Sequence, residues 1–445
     1  KVRLTEGRVK TPNTKLQTPE KLQNSSSNSA PAPGELRLGC RDSLEAPNLR
    51  EAPNLKLQGS AVASGIGIWV LGFLWCVVFG IWDFPFTALA EEPASQTKEK
   101  SRIEVCFVLD TTGSMTGLIE GAKQKIWSIA NEITSAKPTP DIRMGLIGYR
   151  DRGDEYVTKS FDLTNDIDSI YGNLQAFSAA GGGDTPESVN EALNQAVNEM
   201  SWSQDRKVLK IIFLVGDAPP HMDYPGAPKY PDICKAAMKR DLVINTIQCG
   251  TIPETTPVWR EIASLSEGNY AAIAQTGGMV AVTTPMDKEL AELNRKLGAT
   301  MVAYGGEKAR RNVLSRQAAS EAAPASVAAD RLSFNTRYGL VVQGEGELLD
   351  SLNRGKVKIE SLRKDQLPKE WQGLDDSALK AEIGKKQKER AELQTRIQKL
   401  GKEREDYLAQ ERRRRAEKGK SDSFDDTVAH TIRDQAARKG IDYEK

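Results

Sequence analysis

The run Ile103, Val105, Cys106, Phe107, Val108 and Leu109, broken only by Glu104, ends in Asp110. An apolar run of this length, closed by an acid, is read as a strand buried on both faces, as a central strand of a parallel sheet must be. Behind it the period changes. Leu118, Ile119, Ala122, Ile126, Ile129 and Ile133 recur at three- and four-residue steps, which predicts an amphipathic helix beginning just past Ser114. Asp110-Thr111-Thr112-Gly113-Ser114 thus occupies a strand-to-helix turn, and such turns at the carboxyl ends of strands face the ligand crevice of an open α/β sheet. One carboxylate and two hydroxyls at alternate positions suit a hard cation such as Mg²⁺. The third position is Thr112, so the turn lacks the second acid that a phosphatase-type Asp-x-Asp nucleophile needs.

The alternation continues downstream. Strands are predicted over 142–149, 156–161 (an edge strand), 208–217, 242–248 and 269–274. Helices are predicted after Pro186, from Cys234 to Arg240, over 257–266, and as a closing element over 286–297. The fold class is therefore α/β, a doubly wound, mostly parallel sheet. Two further loops carry oxygen ligands. Gly181-Gly182-Gly183-Asp184-Thr185-Pro186-Glu187 precedes the helical face Val189, Ala192, Leu193, Ala196, Val197 and Met200. Pro186 suits the first helical position and makes Thr185 the N-cap, with Asp184 a rival ligand beside it. The buried strand Ile211, Ile212, Phe213, Leu214 and Val215 runs through Gly216 into Asp217, then Pro219, Pro220 and His221.

The Asp-x-Thr-x-Ser turn resembles the metal-ion-dependent adhesion site of von Willebrand factor type A domains, whose signature is Asp-x-Ser/Thr-x-Ser. In that family a hydroxyl from a second loop and a carboxylate from a third complete the site, and this chain supplies both in order. The resemblance covers about residues 103–300. It implies that Asp110, Thr112, Ser114, Thr185 and Asp217 hold one Mg²⁺, with Mn²⁺ or Ca²⁺ as alternatives, and that the ion receives an acidic side chain of a partner protein. The wider arrangement is similar to exported or membrane-anchored bacterial proteins of this type. His221 is read as a loop histidine rather than a ligand, because a hard-cation site has little use for imidazole. Arg150, Asp151 and Arg152 are read as solvated turn residues, with reach towards a ligand the alternative.

Outside 103–300 the composition changes. Residues 1–59 are rich in Pro, Asn, Ser and Gln and have no aromatic residue, so disorder is expected. The first methionine in the sequence is Met115, and this stretch, read as one that need not be translated, is given no functional weight. Residues 60–90 hold an uncharged stretch from Ala61 to Trp82, long enough for a bilayer, with Trp69, Trp75 and Trp82 as interfacial anchors. The basic excess before it places the following domain outside the cytoplasm. Ala88-Leu89-Ala90 has the small residues of a signal-peptidase cut, so the segment is either a membrane anchor or a cleaved signal peptide. The expected location is the cell envelope, membrane-anchored, or periplasmic or secreted after cleavage. Residues 91–102 and 301–346 read as linkers, and 347–445 as a charged helical region. In its long helix over 376–415, Leu379, Ile383, Leu393, Ile397, Leu400 and Tyr407 form a seam that Lys386, Arg390 and Arg404 interrupt. A coiled coil, through which the protein would oligomerise, and a helix packed on its own chain are both open.

With 62 basic and 61 acidic residues there is no global field to gather nucleic acid. Two histidines and no Ser-His-Asp, Walker or Cys-x-x-Cys pattern leave catalysis poorly supplied, so no enzyme is expected. Binding through the metal is the first reading. An envelope scaffold acting through the carboxyl helices is the second, and a metal-dependent enzyme the third. Of five cysteines, Cys234 and Cys249 are the disulfide candidates, set against two buried free thiols, and Cys106 is expected to stay reduced inside the sheet.

Overall fold

A computed structural model describes residues 100–418 and 423–443. The expectations for 1–59, for the apolar segment 60–90, and for Cys40 and Cys76 lie outside the described residues. Within them no helix is long and apolar enough to cross a membrane.

The run that opens the sequence argument is β1 (Arg102–Asp110), buried at every position after Arg102. After a turn of 3-10 helix at Gly113–Met115 comes α1 (Thr116–Ile133). Then follow β2 (Asp141–Tyr149), β3 (Thr158–Thr164), α2 (Ile167–Gln175), α3 (Val189–Asn198), β4 (Leu209–Gly216), α4 (Tyr230–Lys239), β5 (Leu242–Cys249), α5 (Thr255–Leu265) and β6 (Tyr270–Ile273). The six strands lie in the order β3-β2-β1-β4-β5-β6, all parallel except the edge strand β3. The expected doubly wound α/β fold is what forms.

The pleat sorts the strand residues onto two cores. Ile103, Val105, Phe107 and Leu109 face one layer with Leu209, Ile211, Phe213 and Val215. Cys106 and Val108 face the other with Ile212 and Leu214, under α3, α4 and α5.

Beyond the sheet lie α6 (Asp287–Ala299), α7 (Glu307–Ala322), α8 (Ala325–Arg337), α9 (Leu348–Asn353), α10 (Asp376–Glu417) and α11 (Phe424–Ala437). Three expectations change here. First, 301–346 is not a linker: α7 and α8 fill most of it. Phe334 of α8 packs tilted against Trp127 of α1 at 5.6 Å between ring centroids, and Val327 joins the sheet core. Second, the helix over 286–297 does not close the sheet. Its Leu290, Leu293 and Leu297 pack with Leu332 of α8 and Ile397 of α10. The helix that covers the sheet beside α1 is α11, whose Phe424, Val428, Ile432 and Ala436 enter the first core. Fully burying a side chain such as Phe424 contributes about 1.5–3 kcal/mol.

Third, two of the three residues that interrupt the seam of α10, Arg390 and Arg404, are part of the seam. Ile383, Arg390, Ile397 and Arg404 follow one another at seven-residue steps and are all buried against the protein's own helices. Arg390 donates to Asp350 (2.7 Å) and Glu347 (2.9 Å). Arg404 donates to Asp287 (2.7 Å) and Asp330 (2.6 Å), and Arg331 makes a two-pronged pair with Asp168 (2.6 and 2.8 Å). Of the two readings left open for this helix, the structure takes packing on its own chain.

The cysteine expectation is also corrected. Cys234 and Cys249 are both free and buried. Cys234 lies in the middle of α4 rather than at its start, and belongs to the core under α3 to α5. Cys249 points through the opposite face of β5, into the core that holds Ile247 and α1. The sheet stands between the two sulfurs.

Candidate metal centre

β1 and β4 are parallel neighbours, with Leu109 opposite Val215. Their carboxyl ends therefore deliver Asp110 and Asp217 to the same edge, and the last residue of β4, Gly216, has to be small. A Cβ on Gly216 would stand 3.0 Å from the Asp110 Cβ, 3.1 Å from its Oδ2, and 2.3 Å from the Tyr149 hydroxyl. The glycine leaves the space in which the two acids approach each other.

Asp110 is fully buried. Its Oδ1 accepts hydrogen bonds from the Thr112 backbone N–H (2.8 Å) and the Thr112 hydroxyl (2.6 Å), and the Thr112 and Ser114 hydroxyls are 3.2 Å apart. Its Oδ2 is buried and has no hydrogen-bond partner. Burial, and to a smaller extent the negative charge of Asp217, push the Asp110 carboxyl up to about 7 against the donors of Thr112. Asp217, 5% exposed, accepts at Oδ2 from the Gln275 amide (2.6 Å). Its loop is fixed by Thr255, whose hydroxyl donates to the Asp217 carbonyl (2.7 Å), and by Trp259, whose indole N–H donates to the Ala218 carbonyl (3.2 Å).

The glycine loop docks on the Asp110 turn through its backbone. The Gly113 N–H donates to the Gly181 carbonyl (3.1 Å) and the Ala180 N–H to the Thr111 carbonyl (3.0 Å). Gly182 takes a left-handed φ of +76°, and a Cβ there would meet the Thr112 Cβ at 2.9 Å and the Glu187 Oε1 at 3.1 Å.

The structure thus brings Asp110, Thr112, Ser114 and Asp217 to one place, with Ser114 at the exposed rim. Among the described residues no hydrogen bond joins Thr185 to them. That residue is exposed, makes no side-chain hydrogen bond, and caps no helix, because α3 begins at Val189 with Ser188 at the N-cap position. Asp184 is likewise exposed. The buried acid of this loop is Glu187, 3% exposed, with an Oε2 that has no partner. Burial, followed by the charges of Asp110, Asp151, Asp154 and Asp217, pushes its carboxyl up to about 9. Its backbone is pinned to the third loop: the Glu187 N–H donates to the Pro219 carbonyl (3.0 Å), and the His221 N–H donates to that of Glu187 (3.1 Å). The signature directs attention to hydroxyls, so Glu187 escapes it; the available signal was an acid placed directly before a buried helix face.

Arg150 and Asp151 are not solvated. Arg150 is 3% exposed and donates to the Thr111 (3.2 Å) and Ser178 (2.7 Å) carbonyls, tying the first two loops together. Asp151 accepts from the Ser188 (2.9 Å) and Tyr224 (2.7 Å) hydroxyls. Arg152 alone stays exposed, above the Tyr224 ring at 4.1 Å. His221 is buried between Asp151 (3.4 Å) and Asp223 (2.8 Å) and stacks on Tyr224.

Among the described residues no three His, Cys, Asp or Glu side chains stand close enough to hold one ion by themselves. The donor set that does assemble consists of oxygens alone, two acids and two hydroxyls. That chemistry fits a hard divalent cation that keeps several waters, and the unpartnered Asp110 Oδ2 is the observation that supports the fit.

The family model described as the von Willebrand factor A domain matches residues 104–285, the stretch from within β1 to beyond β6. Those residues are a von Willebrand factor A domain. A curated relative, the putative ariadne-like RING finger protein R811 of Acanthamoeba polyphaga mimivirus, is 29% identical to this chain over 119 residues, 27% of this chain. The matched part spans only 11% of that relative's length. Among solved structures, proximal thread matrix protein 1 from the mussel byssus, with a zinc-occupied MIDAS motif, is 17% identical with a TM-score of 0.32. The match covers 40% of this chain and 42% of that one. The SpRpn10 VWA domain is 14% identical with a TM-score of 0.30, over 40% of this chain and 89% of that one.

Proposed function

We propose that the A domain is a metal-dependent protein-binding module, whose cation is held by Asp110, Thr112, Ser114 and Asp217 and receives an acidic side chain of a partner protein. The carrying observation is the buried, unpartnered oxygen of Asp110, facing Asp217 beside two hydroxyls at the edge of the sheet. A carboxylate buried without a partner is costly, and a divalent ion relieves that cost. Mg²⁺ is the proposed ion, with Mn²⁺ or Ca²⁺ as alternatives, since all accept oxygen ligands. Binding rather than hydrolysis is proposed because Thr112 stands where an acid/base would be needed. The ion, incompletely neutralised by Asp110 and Asp217, keeps a position for one more acid.

The export reading is carried by the uncharged stretch from Ala61 to Trp82, with the A domain on the far side of the membrane, anchored or released after Ala90. The scaffold alternative has less to stand on, because α10 buries its seam within the protein.

Calorimetric titration of Mg²⁺ into wild type and Asp110→Ala tests the proposal. Binding is expected only in wild type; equal binding in both would sink it. Capture of a partner from the native envelope fraction, lost on adding chelator, is the companion test.

A further inference from the structure

We infer that Glu187 supplies a third carboxylate to this centre and acts on the cation through one of the waters the ion retains. The inference rests on the metal-binding reading above and deepens it.

The first ground is burial without compensation. Glu187 is 3% exposed, its Oε2 has no hydrogen-bond partner, and among the described residues no ion pair reaches it. The nearby guanidinium groups are committed elsewhere, Arg150 to the Thr111 and Ser178 carbonyls and Arg152 to Glu191. Buried carboxylates are normally paired or bound to metal. The second ground is place. Its Oε1 and the Thr112 Cβ both lie within about 3 Å of the point that a Gly182 Cβ would fill, so the carboxylate stands against the turn that holds Asp110. Its backbone bridges to Pro220, three residues past Asp217. The third ground is substitution. The signature asks the second loop for an oxygen; Thr185 is exposed, and Glu187 is the residue of that loop that brings a buried oxygen to the turn. The three acids are not close enough to share one ion directly, and Mg²⁺ dehydrates reluctantly, so contact through water is the mode that fits. A third acid strengthens the hold on the cation and weakens its pull on an incoming acid.

The test is calorimetric titration of Mg²⁺ into the full chain as wild type, Glu187→Gln, Thr185→Ala and Asp110→Asn, with thermal midpoints recorded without metal. Glu187→Gln is expected to weaken Mg²⁺ binding by about 10–100-fold, the usual effect of removing an outer partner of a metal site. Its metal-free midpoint is expected not to fall, since the amide keeps the shape of a side chain that has no ion pair to lose. Thr185→Ala is expected to match wild type in both. Unchanged Mg²⁺ affinity in Glu187→Gln, with affinity lost in Asp110→Asn, overturns this inference and leaves the metal site standing. Unchanged affinity in Asp110→Asn overturns the metal site itself. A lower metal-free midpoint, or failure to fold, in Glu187→Gln marks the residue as packing and overturns the inference.

Discussion

Buried acids occur in two regions of this molecule and in opposite states. In the helical layer, Asp168, Asp287, Asp330, Glu347 and Asp350 each meet an arginine at 2.6–2.9 Å. At the edge of the sheet, Asp110 and Glu187 each keep a buried oxygen that, among the described residues, no arginine or lysine pairs and no hydrogen-bond donor reaches. Both regions exclude water, so the difference is not burial but compensation. A paired buried acid fixes one helix against another, whereas an unpaired one leaves an opening for a positive charge from outside the chain.

The comparison breaks most visibly if the arginines prove dispensable. Arg390→Met strands Glu347 and Asp350 facing each other, and is expected to cost about 3–5 kcal/mol, as removal of one partner from a buried ionic set does. Urea unfolding measures this. A loss below about 1 kcal/mol, the level of surface pairs, would dissolve the distinction between the two regions. Phe424→Ala, which opens the sheet core from α11, is expected to cost about 3–5 kcal/mol in the same single transition. Two separate transitions would show that the helices and the sheet are not one unit.

At the sheet edge the sign reverses. Asp110→Asn, expected to abolish Mg²⁺ binding, is also expected to raise metal-free stability by roughly 1–3 kcal/mol at pH 8, because an uncompensated buried charge disappears. In the metal-free wild type the same charge gives a pH dependence. The Asp110 carboxyl sits near 7 in the folded protein, above its ordinary 3.8, so the folded state keeps a proton that the unfolded chain releases. That contribution is complete below about pH 4 and is lost as the pH rises through 7. Under the proposed function Mg²⁺ takes the proton's place, so the shift of the melting midpoint by Mg²⁺ should be larger at pH 8 than at pH 6. An equal shift at both would separate Asp110 from the ion. The smallest effect belongs to Thr185→Ala, expected within about 0.5 kcal/mol of wild type as for an exposed residue without partners.

The sheet was legible because burial on both faces requires apolar residues, and β1 and β4 carry them throughout except at Glu104 and Lys210. The Asp110 turn was legible for the same reason: the change from strand to helix period marks its position. The helical layer was harder to read. The buried positions of α8 include Asp330, Arg331, Asn335 and Thr336, so a face that packs through ion pairs and amides looks like solvated surface in sequence. Arg390 and Arg404 appeared as breaks in a seam because hydrophobic period alone cannot register a paired charge. Glu187 was passed over for Thr185 because a signature names residue types, while only the path of the glycine loop decides which oxygen is turned inward.

The covering of the sheet by α11 has a consequence for synthesis. The strand that completes the sheet ends at Ile273, but the helix that shields Phe107 starts at Phe424, after α6 to α10. While those helices are being made, an aromatic surface already assembled on β1 and β4 stays uncovered. Contacts so distant in sequence form slowly, and exposed apolar surface of this kind invites association between nascent chains. Until α11 is made and docks, this face is the part of the sheet most open to such association.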